Sequence, residues 1–250
     1  MKIAYRRQGS GSTVLLVHGV GGDSSHWAAI TEQLHTRFDV IAMDVRGHGK
    51  SDPITGPVDA CDLARDAVQV LDEAGVARCR VVGFSLGGAI AMALTLDFPE
   101  RLEKLAIIGT VSGRTPEEKA KALERVEFLK QHGRAAIAEA NRERWFTDEF
   151  RRAHPDIVDR RVAQVVACDP ASYLHAFRVF CTGDFADRLD AIQVPTLIIT
   201  GEHDTAATPR MAHLMGERIR DSQVHVLPRL RHSVLIEAPE KISALLGAFL

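Results

Sequence analysis

Six short apolar runs, rich in Val, Ile and Leu, recur along the chain. They are "TVLLVHG" (13–19), "DVIAMD" (39–44), "CRVVGF" (79–84), "LEKLAIIG" (102–109), "VPTLIITG" (194–201) and "SQVHVLP" (222–228). Runs this short, with little polar alternation, suit strands buried on both faces of a parallel sheet. Helical patterns lie between them. "DACDLARDAVQVLDEAG" (59–75) puts Leu63, Ala67, Val70 and Leu71 on one stripe and stops at Gly75. "GGAIAMALTLDFPE" (87–100) reads as helix up to Pro99, and "APEKISALLGAFL" (238–250) as a closing amphipathic helix. Strand–helix alternation builds βαβ units with right-handed crossovers. The expected fold is therefore α/β, a mostly parallel central sheet flanked by helices.

The alternation stops over residues 115–189. "TPEEKAKALERVEFLKQHG" opens like a capped helix, with Thr115, Pro116 and Glu118. "AAIAEANRERWF" and "PDIVDRRVAQVVA" also read as helices, and no strand run separates them. Residues 1–114 and 190–250 are thus expected to form the core, and 115–189 a small helical cap. Ligands bind at the carboxyl ends of strands in such sheets, so an insertion there is a candidate lid. A helical layer that only finishes the core is the alternative.

With 250 residues, 46% of them apolar, the chain can bury one sizeable core. Its net charge of −2 and the lack of a basic stripe argue against nucleic acid as a partner. "MKIAYRRQGSGS" lacks the apolar stretch of a signal peptide, and no window holds the ~18 apolar residues of a membrane span. Cys61, Cys79, Cys168 and Cys181 show no C-x-x-C pairing and read as reduced thiols. A cytoplasmic protein with a small-molecule partner is expected; a homodimer is left open.

One hydroxyl interrupts the apolar stretch "VVGFSLGGAI" (81–90). Gly83 to Gly87 also fits the G-x-x-x-G of membrane helices, but no span surrounds it. A phosphate loop would need lysine after its last glycine, and Ala89 follows Gly88. The remaining reading is G-x-S-x-G between a strand and a helix, which presents Ser85 on a sharp turn as a nucleophile. A serine hydroxyl needs a base to take its proton, and the base needs an orienting acid. On this type of fold they follow in the order Asp/Glu, then His. Asp204 sits in the loop after one strand run and His232 in the loop after the next. His203 lies too close to Asp204 in sequence to be held by it. His213 and His225 read as borne by a helix and a strand, and Glu202 is the weaker candidate acid. The backbone N–H of Leu86, just after the nucleophile, and that of Val20, in "VHGVGGDSSHW" (17–27), are the candidate oxyanion donors. Gly19-Val-Gly21-Gly22 lacks the last spaced glycine of a dinucleotide loop.

With these residues in hand, the chain resembles the α/β-hydrolase superfamily over essentially its full length. The marks are "HGVGGDSSHW", "DVRGHGKSD", "GFSLGGAIA", "PERLEKLAIIG", "PTLIITGEHD" and "HSVLIEAPE". The resemblance makes Asp44, Arg46 and His48 scaffold hydrogen-bonders. Within the superfamily, the short cap and the stretches "RERWFTDEFRRAHPDIVD" (142–159) and "SYLHAFRVFCTGDFADRLDAIQVPTLIITGEHD" (172–204) look like 3-oxoadipate enol-lactonases. Phe84 and Leu86 at the elbow and His26 before Trp27 depart from that pattern. An enol-lactone substrate carries carboxylate, so the likeness implies a basic pocket, with Arg114, Arg142, Arg144 and Arg178 as candidates. The expected function is a serine hydrolase that cleaves a small carboxylic ester or lactone through an acyl-enzyme. No metal or organic cofactor is required. Trp27 and Trp145 are candidates to line the acyl pocket, with core packing the alternative for each. A C–C bond hydrolase, a perhydrolase and a non-enzymatic small-molecule receptor share the fold and stand as alternatives.

Overall fold

The computed structural model describes residues 1–250. The chain begins with β1 (Tyr5–Gly9), β2 (Thr13–Val17), α1 (Ala28–Leu34), β3 (Asp39–Met43), α2 (Ala60–Glu73), β4 (Cys79–Phe84), α3 (Leu86–Asp97) and β5 (Leu102–Ile108). Four helices follow without a strand: α4 (Pro116–Trp145), α5 (Asp148–Ala153), α6 (Pro155–Ala167) and α7 (Pro170–Thr182). The chain closes with β6 (Thr196–Gly201), α8 (Pro209–Arg218), β7 (Ser222–Leu227), α9 (Val234–Glu237) and α10 (Pro239–Phe249). No helix is long and apolar enough to cross a membrane.

The seven strands form one sheet in the order β1-β3-β2-β4-β5-β6-β7. β2 to β7 pair in parallel, and β1 joins the edge antiparallel to β3. The six apolar runs supply β2 to β7. β1 was not visible among them, because its sequence, YRRQG, has four of five residues exposed and no apolar face. An edge strand needs backbone pairing more than side-chain burial, so pattern alone misses it.

Both faces of the sheet are covered, as continuous apolar strands require. Alternate residues feed two cores. Leu15, Val17, Ile41, Met43, Val81 and Ile107 pack with α2 and α3, and Val14, Leu16, Val40, Val82, Ala106 and Ile108 pack with α1 and α10. Each fully buried aliphatic side chain contributes about 1.5–3 kcal/mol relative to exposure. α3 is buried almost all round, which is why its sequence is apolar all round.

The four helices between β5 and β6 build a small core of their own from Val126, Leu129, Ile137, Val165, Tyr173 and Phe177. Thr115 and Glu118 form the capping box that opens α4. α4 breaks at Gly133, whose φ is 76°, where "QHG" separates the two helical patterns of the sequence. The end of α4 is tied to the loop after β7. Ser233 N–H donates to Trp145 O at 2.8 Å, and Arg231 Nη1 donates to the carbonyls of Glu143 and Phe146.

Candidate active site

Ser85 joins β4 to α3 with φ 56° and ψ −116°, a conformation costly for a residue with a side chain. The surroundings hold it there. Its N–H donates to Ile108 O at 2.8 Å, and Thr110 Oγ1 donates to Ser85 O at 2.9 Å. The glycines around it have a steric reason. A Cβ on Gly83 would overlap the Gly87 carbonyl, one on Gly87 the Val17 carbonyl, and one on Gly88 the Thr110 hydroxyl.

The loops after β6 and β7 bring two more side chains to this turn. His232 Nε2 lies 3.2 Å from Ser85 Oγ, and His232 Nδ1 lies 2.6 Å from Asp204 Oδ2. Asp204 Oδ1 accepts from the N–H groups of Ala206 at 2.8 Å and Ala207 at 3.0 Å. The carboxylate is thus fixed on one oxygen and free to accept Nδ1–H on the other, leaving Nε2 to face the hydroxyl. All three side chains are buried, at 5% exposure for Ser85, 2% for Asp204 and 7% for His232. Glu202 instead accepts from Arg229 N–H at 2.7 Å, and His203 is exposed.

The loop after β2 lies beside Ser85. Val20 N–H donates to no group of the chain. Leu86 is the first residue of α3, so its N–H has no carbonyl within the helix to reach. His18 and His48 are structural. His18 Nε2 accepts from Val45 N–H at 2.9 Å and its Nδ1–H donates to Gly19 O at 2.8 Å. His48 Nε2 accepts from Gly21 N–H at 3.0 Å. Burial lowers both imidazoles below their ordinary range, His48 to about 3, which keeps the accepting nitrogens unprotonated. Asp44 accepts from Ser24 N–H and Lys50 N–H, and Arg46 pairs with Asp66.

A cavity opens above Ser85, between the sheet and the helical insertion. Gly19, Val20, His26, Phe84 and His232 line its floor, and Arg125, Asn141, Arg144, Trp145, Arg161, Tyr173 and Phe177 its roof. Trp145 therefore lines the cavity that holds Ser85. Trp27 does not: it is fully buried in the core with Ile30 and Leu34, against the expectation that it lines the pocket. Its ring packs in the core beside α1 although its Nε1–H finds no partner there.

Of the four arginines considered from sequence, only Arg144 lines the cavity. Arg142 pairs with Glu139 and Asp159, Arg114 donates to the carbonyls of Gly183 and Phe180, and Arg178 is exposed. Arg125 and Arg161 went unrecognised in the sequence. Arg161 did leave a signal, because it lies on the same buried stripe of α6 as Val158 and Val165. Neither Arg125, Arg144 nor Arg161 pairs with a carboxylate; Arg125 instead donates to Asn141 Oδ1 at 2.6 Å. Burial lowers all three from their ordinary range, with the proximity of Arg144 adding to the effect on Arg125. His26 also faces the cavity with both ring nitrogens buried and unpartnered.

A strand–serine–helix turn, a buried imidazole and carboxylate in line with it, and a seven-stranded sheet of this order define a class. The sequence model of the alpha/beta hydrolase fold family matches residues 12–239, and the chain belongs to that family. It is a hydrolase by family, and its relatives include proteins named for several substrates. It is 28% identical to the (E)-2-((N-methylformamido)methylene)succinate hydrolase of Acinetobacter baylyi, over 98% of this chain and 93% of that protein. It is 25% identical to 3-oxoadipate enol-lactonase 1 of the same organism, over 94% of this chain and 87% of the relative. The solved enol-lactonase from Burkholderia xenovorans LB400 superposes with a TM-score of 0.89 at 27% identity, over 99% of this chain and 95% of that one.

Proposed function

We propose that the protein hydrolyses a small carboxylic ester or lactone that carries a negative charge, through an acyl-enzyme on Ser85. The observation that carries this reading is the hydrogen-bonded line Ser85 Oγ, His232, Asp204 at the floor of the cavity. His232 Nε2 takes the Ser85 proton as Oγ bonds to the substrate carbonyl carbon. The oxyanion so formed is held by the N–H groups of Val20 and Leu86. The C–O bond then breaks, and the proton passes from His232 to the leaving oxygen. In a lactone that oxygen stays tethered to the acyl group. Water, deprotonated by His232, attacks the acyl carbon; the bond to Ser85 Oγ breaks, Oγ takes the proton back from His232, and the acid leaves. Asp204 holds the imidazole tautomer and stabilises its cation throughout. Trp145 borders the acyl group.

The charge preference rests on Arg125 and Arg144. Buried cations are costly, and both face the cavity without an ion pair; the charge of Asp204 acts on Arg144, but that carboxylate is bonded to His232. The similar proteins named for a substituted succinate and for 3-oxoadipate enol-lactone lend the same direction.

The test is a panel of aryl acetates, lactones with and without a carboxylate, and vinylogous diketones, run on wild type and Ser85→Ala. Turnover of esters or lactones that Ser85→Ala abolishes supports the reading. Labelling by a fluorophosphonate without turnover makes the protein a receptor. Faster cleavage of the diketones, or peroxide-dependent halide oxidation, moves it to one of the other chemistries of the fold.

A further inference from the structure

Three successive peptides make up the loop that borders Ser85, and five of their six polar groups are bonded. In the Gly19–Val20 peptide, Gly19 O accepts from His18 Nδ1–H at 2.8 Å and from Gly22 N–H at 3.1 Å. In the next, Gly21 N–H donates to His48 Nε2 at 3.0 Å and Val20 O accepts from Arg161 Nη2 at 2.9 Å. In the third, Gly22 N–H is the donor to Gly19 O already named, and Gly21 O accepts from Arg161 Nη1 at 2.6 Å. The sixth group is Val20 N–H, which has no partner in the chain.

We propose that Arg161, a residue of the helical insertion, is a positioning residue that completes the oxyanion hole by clamping the carbonyls of Val20 and Gly21. The inference rests on the hydrolase reading of Ser85. Arg161 supplies two of the bonds that leave Val20 N–H as the free donor, and both cross from α6 to the core over 140 and 141 positions of sequence. A guanidinium suits the task, since its planar fork offers two donors in fixed geometry, whereas an ammonium is a point charge on a flexible stem. Arg161 is 7% exposed, and its outer face is covered by the Trp145 ring at 4.8 Å. Its remaining polar contact is Gln164 Oε1 at 3.3 Å. Gly21 is seated directly beneath the insertion: with φ +70°, a Cβ there would press on Val165 and Tyr173. Arg161 therefore differs from Arg125 and Arg144. Both its Nη groups are committed to the loop, while theirs are not committed to any carbonyl or carboxylate near Ser85.

Orientation matters here because an oxyanion donor acts only when aimed at the position the developing charge will occupy. Loss of a whole donor typically lowers kcat by about 10²–10³, so loosening one is expected to cost about 10- to 100-fold. The experiment compares full-length wild type, Arg161→Met and Arg161→Lys, with active sites counted by fluorophosphonate labelling taken to saturation. Burst kinetics of p-nitrophenyl acetate give the acylation and deacylation rates. Titration with phenylboronic acid, which binds Ser85 Oγ as a tetrahedral anion, gives a readout apart from turnover. Expected in Arg161→Met are both rates down by about 10- to 100-fold, KM for the neutral ester within about threefold, and boronate affinity reduced in step with the rates. Arg161→Lys should recover only part of this. A raised KM with unchanged rates would make Arg161 a substrate contact and overturn the proposal. So would rates and boronate affinity that match wild type. If Arg161→Met does not fold, Arg161→Lys is judged by the same criteria. Failure of wild type itself to turn over or bind boronate would instead defeat the hydrolase reading.

Discussion

At Ser85 a side chain occupies backbone territory that costs of order 1–3 kcal/mol, and its neighbours meet that cost by close packing. Gly87 is the sharpest case, because the atom its Cβ would strike is the Val17 carbonyl in the adjacent strand, which cannot move aside. Gly87→Ala is expected to destabilise by about 3 kcal/mol or more, at the upper end of overpacking. Gly56→Ala, where a Cβ meets nothing within 4 Å, should stay within about 0.5 kcal/mol of wild type. Urea unfolding of the two variants measures the difference. At the other end of the hydrogen-bonded line, Asp204→Asn keeps the shape but offers His232 an amide that can hold the wrong tautomer. By analogy with serine proteases, kcat should fall by about 10⁴, with the fold retained by circular dichroism. The order Ser, Asp, His was legible in the sequence at this scale, and those three are the residues the fold brings into hydrogen-bond contact. Trp27 was not legible, since an aromatic in a loop near the site reads the same whether it faces the cavity or the core.

Elements β2 to β7 were legible because buried parallel strands are apolar on both faces. β1 escaped because its role is backbone pairing at an edge. The helices of the insertion were legible as helices through their caps, Thr115–Glu118 above all, and through Gly133 as a break. Which way their polar residues face was not. Arg142 and Arg144 stand two positions apart on α4, so they point to different sides. One meets Glu139 and Asp159, the other the cavity. Arg144→Met is therefore expected to raise KM for a carboxylate-bearing ester about tenfold or more. Its KM for a neutral ester should stay within about threefold, on the scale of a charge-assisted contact. Arg142→Met should change neither. Steady-state kinetics of both variants on the charged and the neutral ester would check this.

Across the whole molecule, His18, His26 and His48 gather between the sheet and the insertion, all three held by burial below their ordinary range. The folded state therefore binds fewer protons than the unfolded chain once pH drops below the free imidazole value of about 6.5. Their contribution to stability is full above that pH and is lost as pH falls through it, the loss for His48 continuing to about 3. For His48 the loss approaches about 1.4 kcal/mol per pH unit in that window. Urea unfolding at pH 7.5, 6 and 5 should show this decline, and His48→Gln, whose amide oxygen can still accept from Gly21 N–H, should reduce its slope. An unchanged slope in His48→Gln would remove that histidine from the account.

The sequence by itself determined the strand and helix alternation, the elbow glycines and the order of the candidate triad. Each of these rests on local periodicity or on turn chemistry within a few residues. Only the tertiary structure decided which arginines meet the cavity, that Trp27 fills the core while Trp145 lines the pocket, and that a residue of the insertion holds the loop beside Ser85. Those outcomes depend on contacts such as Arg161 to Gly21, 140 positions apart, where the approach of two helical faces to a sheet edge sets the partner. No local pattern carries that information.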